Sequence, residues 1–297
     1  SAVAVNGAGV EFPCIGGGIL TLDYIDAQSN NVYNSYCLYG DDHVSIQSDN
    51  DINEGSIIAM PDENDYQQQG NNDYFDYENQ IISDTWTLPS LDLIDDYISN
   101  AQAAQNGQAP AQPGNLPANL PFPVTNTVVI NSDVDVPDYP FQQNTLYVVD
   151  GKVVLKKDYT HQNIAVVATK EIVLESDGVL RNAILLSEDK IEVGSYTTVG
   201  QANPCTANGG DFGVYMFAQD NASFGSNGVY NGIQVGTNQE LQIQADTSAT
   251  GFYAEAAGRT YVASSSTYGA CENGLGSAFG PLTGAMIAGD MTLVLVD

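Results

Sequence analysis

One short pattern returns every 19 residues along this chain, and that spacing limits the folds open to it more than any other feature. Eleven-residue windows starting at Asn126, Thr145, Ile164 and Ala183 are 19 residues apart, and so are those at Val214, Ile233 and Phe252. The step from Ala183 to Val214 is 31 residues and the step from Phe252 to a last window at Ala285 is 33, which is the repeat plus insertions of 12 and 14. The third position reads Val128, Tyr147, Val166, Leu185, Met216, Val235, Ala254 and Ile287; the eleventh reads Val136, Leu155, Leu174, Val193, Phe224, Ile243, Val262 and Leu295. All sixteen are hydrophobic, and at 43% hydrophobic content the chance of that is on the order of one in a million. The fifth position is small or apolar. The eighth is always polar, from Asp133, Lys152, Glu171 and Lys190 to Asn221, Glu240, Arg259 and Thr292. Each window reads as a strand, a polar corner and a second strand.

A strand pair this short cannot bury its own apolar face. Stacking one coil on the next at about 4.8 Å closes a core and pairs the backbone. The pattern therefore predicts an all-β protein built as a parallel β-solenoid, or β-helix, with the right-handed coil favoured by the chirality of parallel crossovers. Residues 126–297 form the main solenoid, with insertions at about 194–213 and 263–284. Tyr36 to Ile46 fits the same window, with Leu38 third and His43 eighth; Phe12 to Leu22 is a looser match, and Gly55 opens a further strand. Residues 1–60 are thus N-terminal coils. Between the two regions, 61–125 is an acidic excursion rich in Tyr, Gln, Asn and Pro. Leu88, Leu91, Ile94 and Ile98 predict one helix over 92–105, and five prolines from Ala109 to Pro123 predict an extended arm crossing a surface.

The chain carries 37 Asp and Glu against 7 Lys and Arg, a formal charge of −30. That field repels phosphates, so nucleic acid and anionic lipid are poor partners, and no apolar run approaches the 18 residues or so of a membrane span. Asp133, Lys152, Glu171 and Lys190 alternate in sign along one corner, with Glu240 beside Arg259, so the scarce cations read as a structural ladder. Cys14 and Cys37 fall on adjacent coils, and Cys205 and Cys271, one in each insertion, pair by elimination; four cysteines allow three connectivities. Disulfides imply an oxidising compartment, extracellular or at a cell surface.

Only His43 and His161 are available for acid–base work, and no nucleophile motif accompanies them. Polysaccharide lyases and hydrolases on solenoids need clustered carboxylates on an outer face. The outward positions here hold Asp135, Val154, Val173, Glu192, Ser223 and Gln242, a mixture. A non-catalytic structural or adhesive protein is the reading that follows, with protein partners, self-assembly or a glycan as its contacts. A glycan-cleaving enzyme and a virion decoration or fibre protein are the rivals. The ionic candidate is calcium at Asp49, Asp51 and Asn53, where oxygen ligands alternate. An EF-hand loop would want Gly sixth and Glu twelfth, where this chain has Glu54 and Met60, so a solvated turn is the simpler account. No other cofactor is implied. Seventeen tyrosines suit amphipathic contact with sugar or protein.

The run Asn34-Ser35-Tyr36-Cys37-Leu38-Tyr39-Gly40, with His43-Val44-Ser45-Ile46 and Gly55-Ser56-Ile57-Ile58-Ala59-Met60-Pro61-Asp62, resembles TadG-like proteins of the Tad (Flp) pilus-assembly group. The resemblance implies an envelope-associated or secreted component of a tight-adherence pilus, acting in attachment, and offers no catalytic residues. Such proteins begin with a hydrophobic segment and an Ala-rich helix, which this chain lacks.

Overall fold

A computed structural model describes residues 4–5, 11–12, 17–53, 56–60, 66–68, 70, 73–74, 78–81, 126–205 and 213–271. The helix expected over 92–105, the proline arm and the window at Ala285 lie outside the described residues.

The repeat folds as its spacing requires, into a parallel β-solenoid. Each strand pairs in parallel with its counterpart one repeat along: Tyr147 lies against Val166, Val166 against Leu185, and Leu155 against Leu174. Val166 and Leu185 are both wholly buried, within one continuous core built from the third, fifth and eleventh positions. The window supplies two sides of every coil. The structure adds a third, whose strands run straight into the first side of the next coil, so that Thr160–Ala168, Val179–Ser187, Val229–Thr237 and Ser248–Ala256 are each one nine-residue strand. Both expected insertions are narrower for it, because Thr198–Gly200 and Thr267–Gly269 are strands of this side. The third side was hard to read because it turns a single residue per coil inward: His161, Leu180, Val199, Tyr230, Ala249, Tyr268 and Tyr33, each buried.

Chain order and stacking order differ. The coil that begins at Phe252 is followed in space by the N-terminal coils, not by the window at Ala285. Tyr253 to Ala256 pairs with Gly18–Thr21, Thr260–Val262 with Ile25–Ala27, and Thr267–Gly269 with Val32–Asn34. The stack continues through Cys37–Gly40 and Ile57–Met60 to Glu78–Ile81. Asn126–Ile130 therefore lies at one end and Glu78–Ile81 at the other. This pairing also corrects the register of the first coil. Ile19 lies opposite Leu38, so the window matching Tyr36 to Ile46 runs from Gly17 to Ala27, five residues beyond Phe12 to Leu22.

Corner residues set that register. One corner places Asp158, Asp177, Tyr196, Asn227, Asp246, Ser265, Asn30 and Asp49 in the left-handed region, with φ between 59° and 64°, a conformation that Asp and Asn tolerate best among side-chain-bearing residues. The next residue turns inward to form a polar ladder. Asn50 Oδ1 accepts the Asn31 N–H at 2.8 Å, Asn31 Oδ1 accepts the Ser266 N–H at 2.9 Å, and Ser266 Oγ accepts the Thr247 N–H at 3.0 Å. Asn31 and Thr247 also donate to the carbonyls of Gln28 and Gln244 in their own coils. Gly228 occupies this column without a side chain, and the Tyr230 hydroxyl fills the place, donating to the Gly225 carbonyl at 3.0 Å; a Cβ on Gly228 would lie 2.1 Å from that hydroxyl. Asn31→Ala would leave the Ser266 N–H without its acceptor inside the core, and is expected to lower unfolding free energy by about 2 kcal/mol in urea titrations.

Candidate interaction surfaces

The polar corner carries the cation ladder that charge alternation predicts. Glu171 binds Lys152 on one side and Lys190 on the other, the latter at 3.0 Å; Lys170 lies 3.6 Å from Asp133, and Lys156 reaches Asp135 at 3.0 Å and Glu175 at 3.7 Å. The Lys152 ammonium, with Lys190 beside it, holds the Glu171 carboxyl below its usual range, while Glu171 raises Lys190 and Asp135 raises Lys156. Further along the same corner, Arg259 sits beside Glu240 in the stack but forms its ion pair with Asp26 of the next coil, at 3.3 Å. Its guanidinium lies 5.2 Å from the Tyr24 ring centre, and Tyr24 stacks on His43 at 4.7 Å. His43, which also meets Asp42 at 3.0 Å, is a corner residue, as its eighth position implies. His161 is not in a return loop. It faces the core, donates from Nε2 to the Lys156 carbonyl at 2.9 Å, and burial pushes its pKa down.

The candidate calcium ligands belong to a corner. Asp49 is the left-handed residue, while Asp51 and Asn53 flank the inward Ile52 on the third side, where Asn53 Nδ2 donates to Asn34 Oδ1 at 2.8 Å. The residue between them, Asn50, belongs to the polar ladder. Among the described residues no three His, Cys, Asp or Glu side chains form a metal-sized cluster. The same corner conformation recurs in seven other coils, so the alternation of acids is accounted for by the turn.

Cys205 and Cys271 form a disulfide with Cα atoms 5.1 Å apart, and Cys37 is also disulfide-bonded. Cys14 lies outside the described residues. The run that carries the pilus-protein resemblance forms strands Cys37–Gly40, His43–Ile46 and Ile57–Met60 of successive coils. The tyrosines are mostly interior: Tyr33, Tyr36 and Tyr268 cluster with ring centres 5.3 to 6.2 Å apart, and Tyr36 donates to the Phe252 carbonyl.

The surface that window reading missed is the outer face of the first side. Positions two and four of the windows point away from the core, and they are apolar and buried: Leu146, Val148, Ala165, Val167, Ile184, Leu186, Tyr215, Phe217, Tyr253, Leu20 and Tyr39. The second side serves as an internal control. Its outward valines, Val154 and Val173, are only half-buried, whereas Val148 is 1% exposed and Val167 0%. Sheet neighbours alone therefore do not bury an outward valine in this stack; something lies over the first side. Val129, Cys37, Tyr39, Tyr215 and Tyr253, all on this face, each engage in interactions beyond those given above. One acid sits among these residues. Glu255 is 3% exposed, lies between Gly236 and Leu20 of the adjoining coils, and accepts a 2.6 Å hydrogen bond from the Tyr253 hydroxyl. Burial pushes its pKa up to about 8 against the pull of that hydrogen bond. The signal was present in the sequence as unbroken apolar runs, Thr145–Val149 and Val214–Ala218 among them, which is the mark of a strand covered on both faces.

Among comparisons with known proteins, one family model, "Domain of unknown function (DUF7867)", matches residues 18–272, from the first residue of the Gly18–Thr21 strand to the residue after Cys271. No curated protein and no solved structure matches.

Proposed function

The chain belongs to the DUF7867 family, and from that premise we propose that it is a non-catalytic structural protein of the extracellular space or a cell surface, a rigid stack that presents its corners and insertions to protein partners. The supporting observation is the second side, the most open face described. Its outward acids Asp135 and Glu192 are three coils apart, on the order of 14 Å at solenoid spacing, whereas paired glycosidase carboxylates stand about 5 to 9.5 Å apart. Asp135 is moreover engaged by Lys156. The Cys205–Cys271 disulfide supports the oxidising compartment. Incubation with acidic and neutral polysaccharides, followed for new reducing ends and unsaturated sugars, is expected to yield none above a heat-denatured control. Turnover abolished by a single carboxylate substitution would replace this reading with that of a glycan-cleaving enzyme.

A further inference from the structure

We propose that the cover over the apolar outer face is the chain's own segment 82–125, laid along the stack from one end to the other. The face is buried within a single chain, so the occupant is part of this molecule. Connectivity identifies which part. Ile81 ends the last strand of the stack and Asn126 begins the first, and ten strand-to-strand steps separate them. At about 4.8 Å per step that is on the order of 48 Å, which residues 82–125 must cross to rejoin the fold. Their length suffices in any conformation, since even a helix rises about 1.5 Å per residue. The buried strip runs over the same coils, from Leu146 near one end to Tyr39 near the other.

The other segments outside the described residues do not match the strip. Residues 206–212 are too few to run along it. Residues 272–297 depart from Cys271, partway along the stack, with buried face extending in both directions. Residues 1–16 lead into Gly17, also partway along. Segment 82–125 alone has its two ends at the two ends of the strip, and it supplies apolar side chains in Leu88, Leu91, Leu93, Ile94 and Ile98. This assigns the excursion an intramolecular task, in place of the docking of a foreign partner.

The test is photo-crosslinking in the intact chain with a benzophenone amino acid placed at Val167 or Leu186. Crosslinks to peptides within 82–125, independent of protein concentration, are the expected result. Crosslinks to 272–297, to 1–16, or between two copies would overturn the proposal. A second measurement uses Val167→Cys, which a charged maleimide should label at least ~100-fold more slowly than Val173→Cys on the open second side, as befits a covered position. Exchanging 86–124 for a Gly/Ser segment of equal length should bring the two rates within about tenfold, with core Val166→Cys still protected as a check on folding. Equal labelling in the intact chain, or protection that survives the exchange, would also overturn it.

Discussion

A circular permutant in which Asp297 is joined to Ser1 and the chain is opened between Thr125 and Asn126 is expected to fold to the same stack, whereas deletion of residues 1–60 is expected to leave an aggregating protein. In the permutant, chain order follows stacking order. The junction is close to hand: a Cβ on Gly17 would lie 3.1 Å from Ala270 Cα, and the Ala270 N–H donates to the Asn34 carbonyl at 3.0 Å, so the end of one coil adjoins the start of the next. The deletion strips the coil that begins at Phe252 of its neighbour on all three sides. It uncovers the strands of Phe252, Thr260–Val262 and Thr267–Gly269 as unpaired edges, which are templates for association. It also removes Ile19, Ile25, Tyr33, Tyr36, Leu38 and Val44 from the core. At about 1.5 to 3 kcal/mol for each large apolar side chain, those losses rival the whole 5 to 15 kcal/mol by which a typical domain is stable. Circular dichroism and size exclusion with light scattering would check both. The permutant should melt within a few degrees of the parent, and the deletion should lose most of its monomer at micromolar concentration. A monomeric, cooperatively folding deletion beside a misfolded permutant would show that the N-terminal coils do not stack on the coil of Phe252.

What was legible in the sequence is what a 19-residue period carries directly. Val166 over Leu185, the cation ladder around Glu171 and the corner place of His43 all follow from counting, because each depends on one residue meeting its equivalent one coil away. Three features did not follow. Tyr253 pairing with Gly18 is a contact between distant parts of the chain, and periodicity says which residues are equivalent but not which coil comes next. The third side offers one inward residue per coil, and that residue ranges from Ala249 to Tyr268. The covered face was hidden by a choice of template: an in-out alternation seeks polar residues at positions two and four, yet Leu146, Val148, Ile184 and Leu186 stood there as plainly as the core did. Corner chemistry was also misassigned, since Asp49 looked like a ligand until its left-handed φ placed it with its counterparts in other coils.

Glu255→Gln is expected to make the protein markedly more stable at pH 8.5 and to change little near pH 4.5. The carboxyl lies under the covered face with Leu20 beside it, and Phe217 packs against Gly236 on the other side, where a Cβ would stand 2.5 Å from the Phe217 ring. Burial raises its pKa from the ordinary 4.5 to about 8 in the folded chain. Between those two values the folded state holds a proton that the unfolded state has released, so stability falls as pH rises through this window and levels off above it. A shift of this size corresponds to several kcal/mol. The trend is opposite to that of Glu171 and Asp133, whose lowered pKa values contribute stability above the unfolded pKa that is lost as the pH falls. The parent alone therefore shows a mixture, and the difference between parent and variant isolates Glu255. Glutamine keeps an acceptor for the Tyr253 hydroxyl and carries no charge at any pH. Melting temperatures taken from pH 4.5 to 9 should diverge steadily, the variant ending roughly 5 to 10 °C higher, at about 2 to 4 °C per kcal/mol for a domain near this size. Parallel curves would mean that the Glu255 carboxylate is solvated, and the face above it open to water.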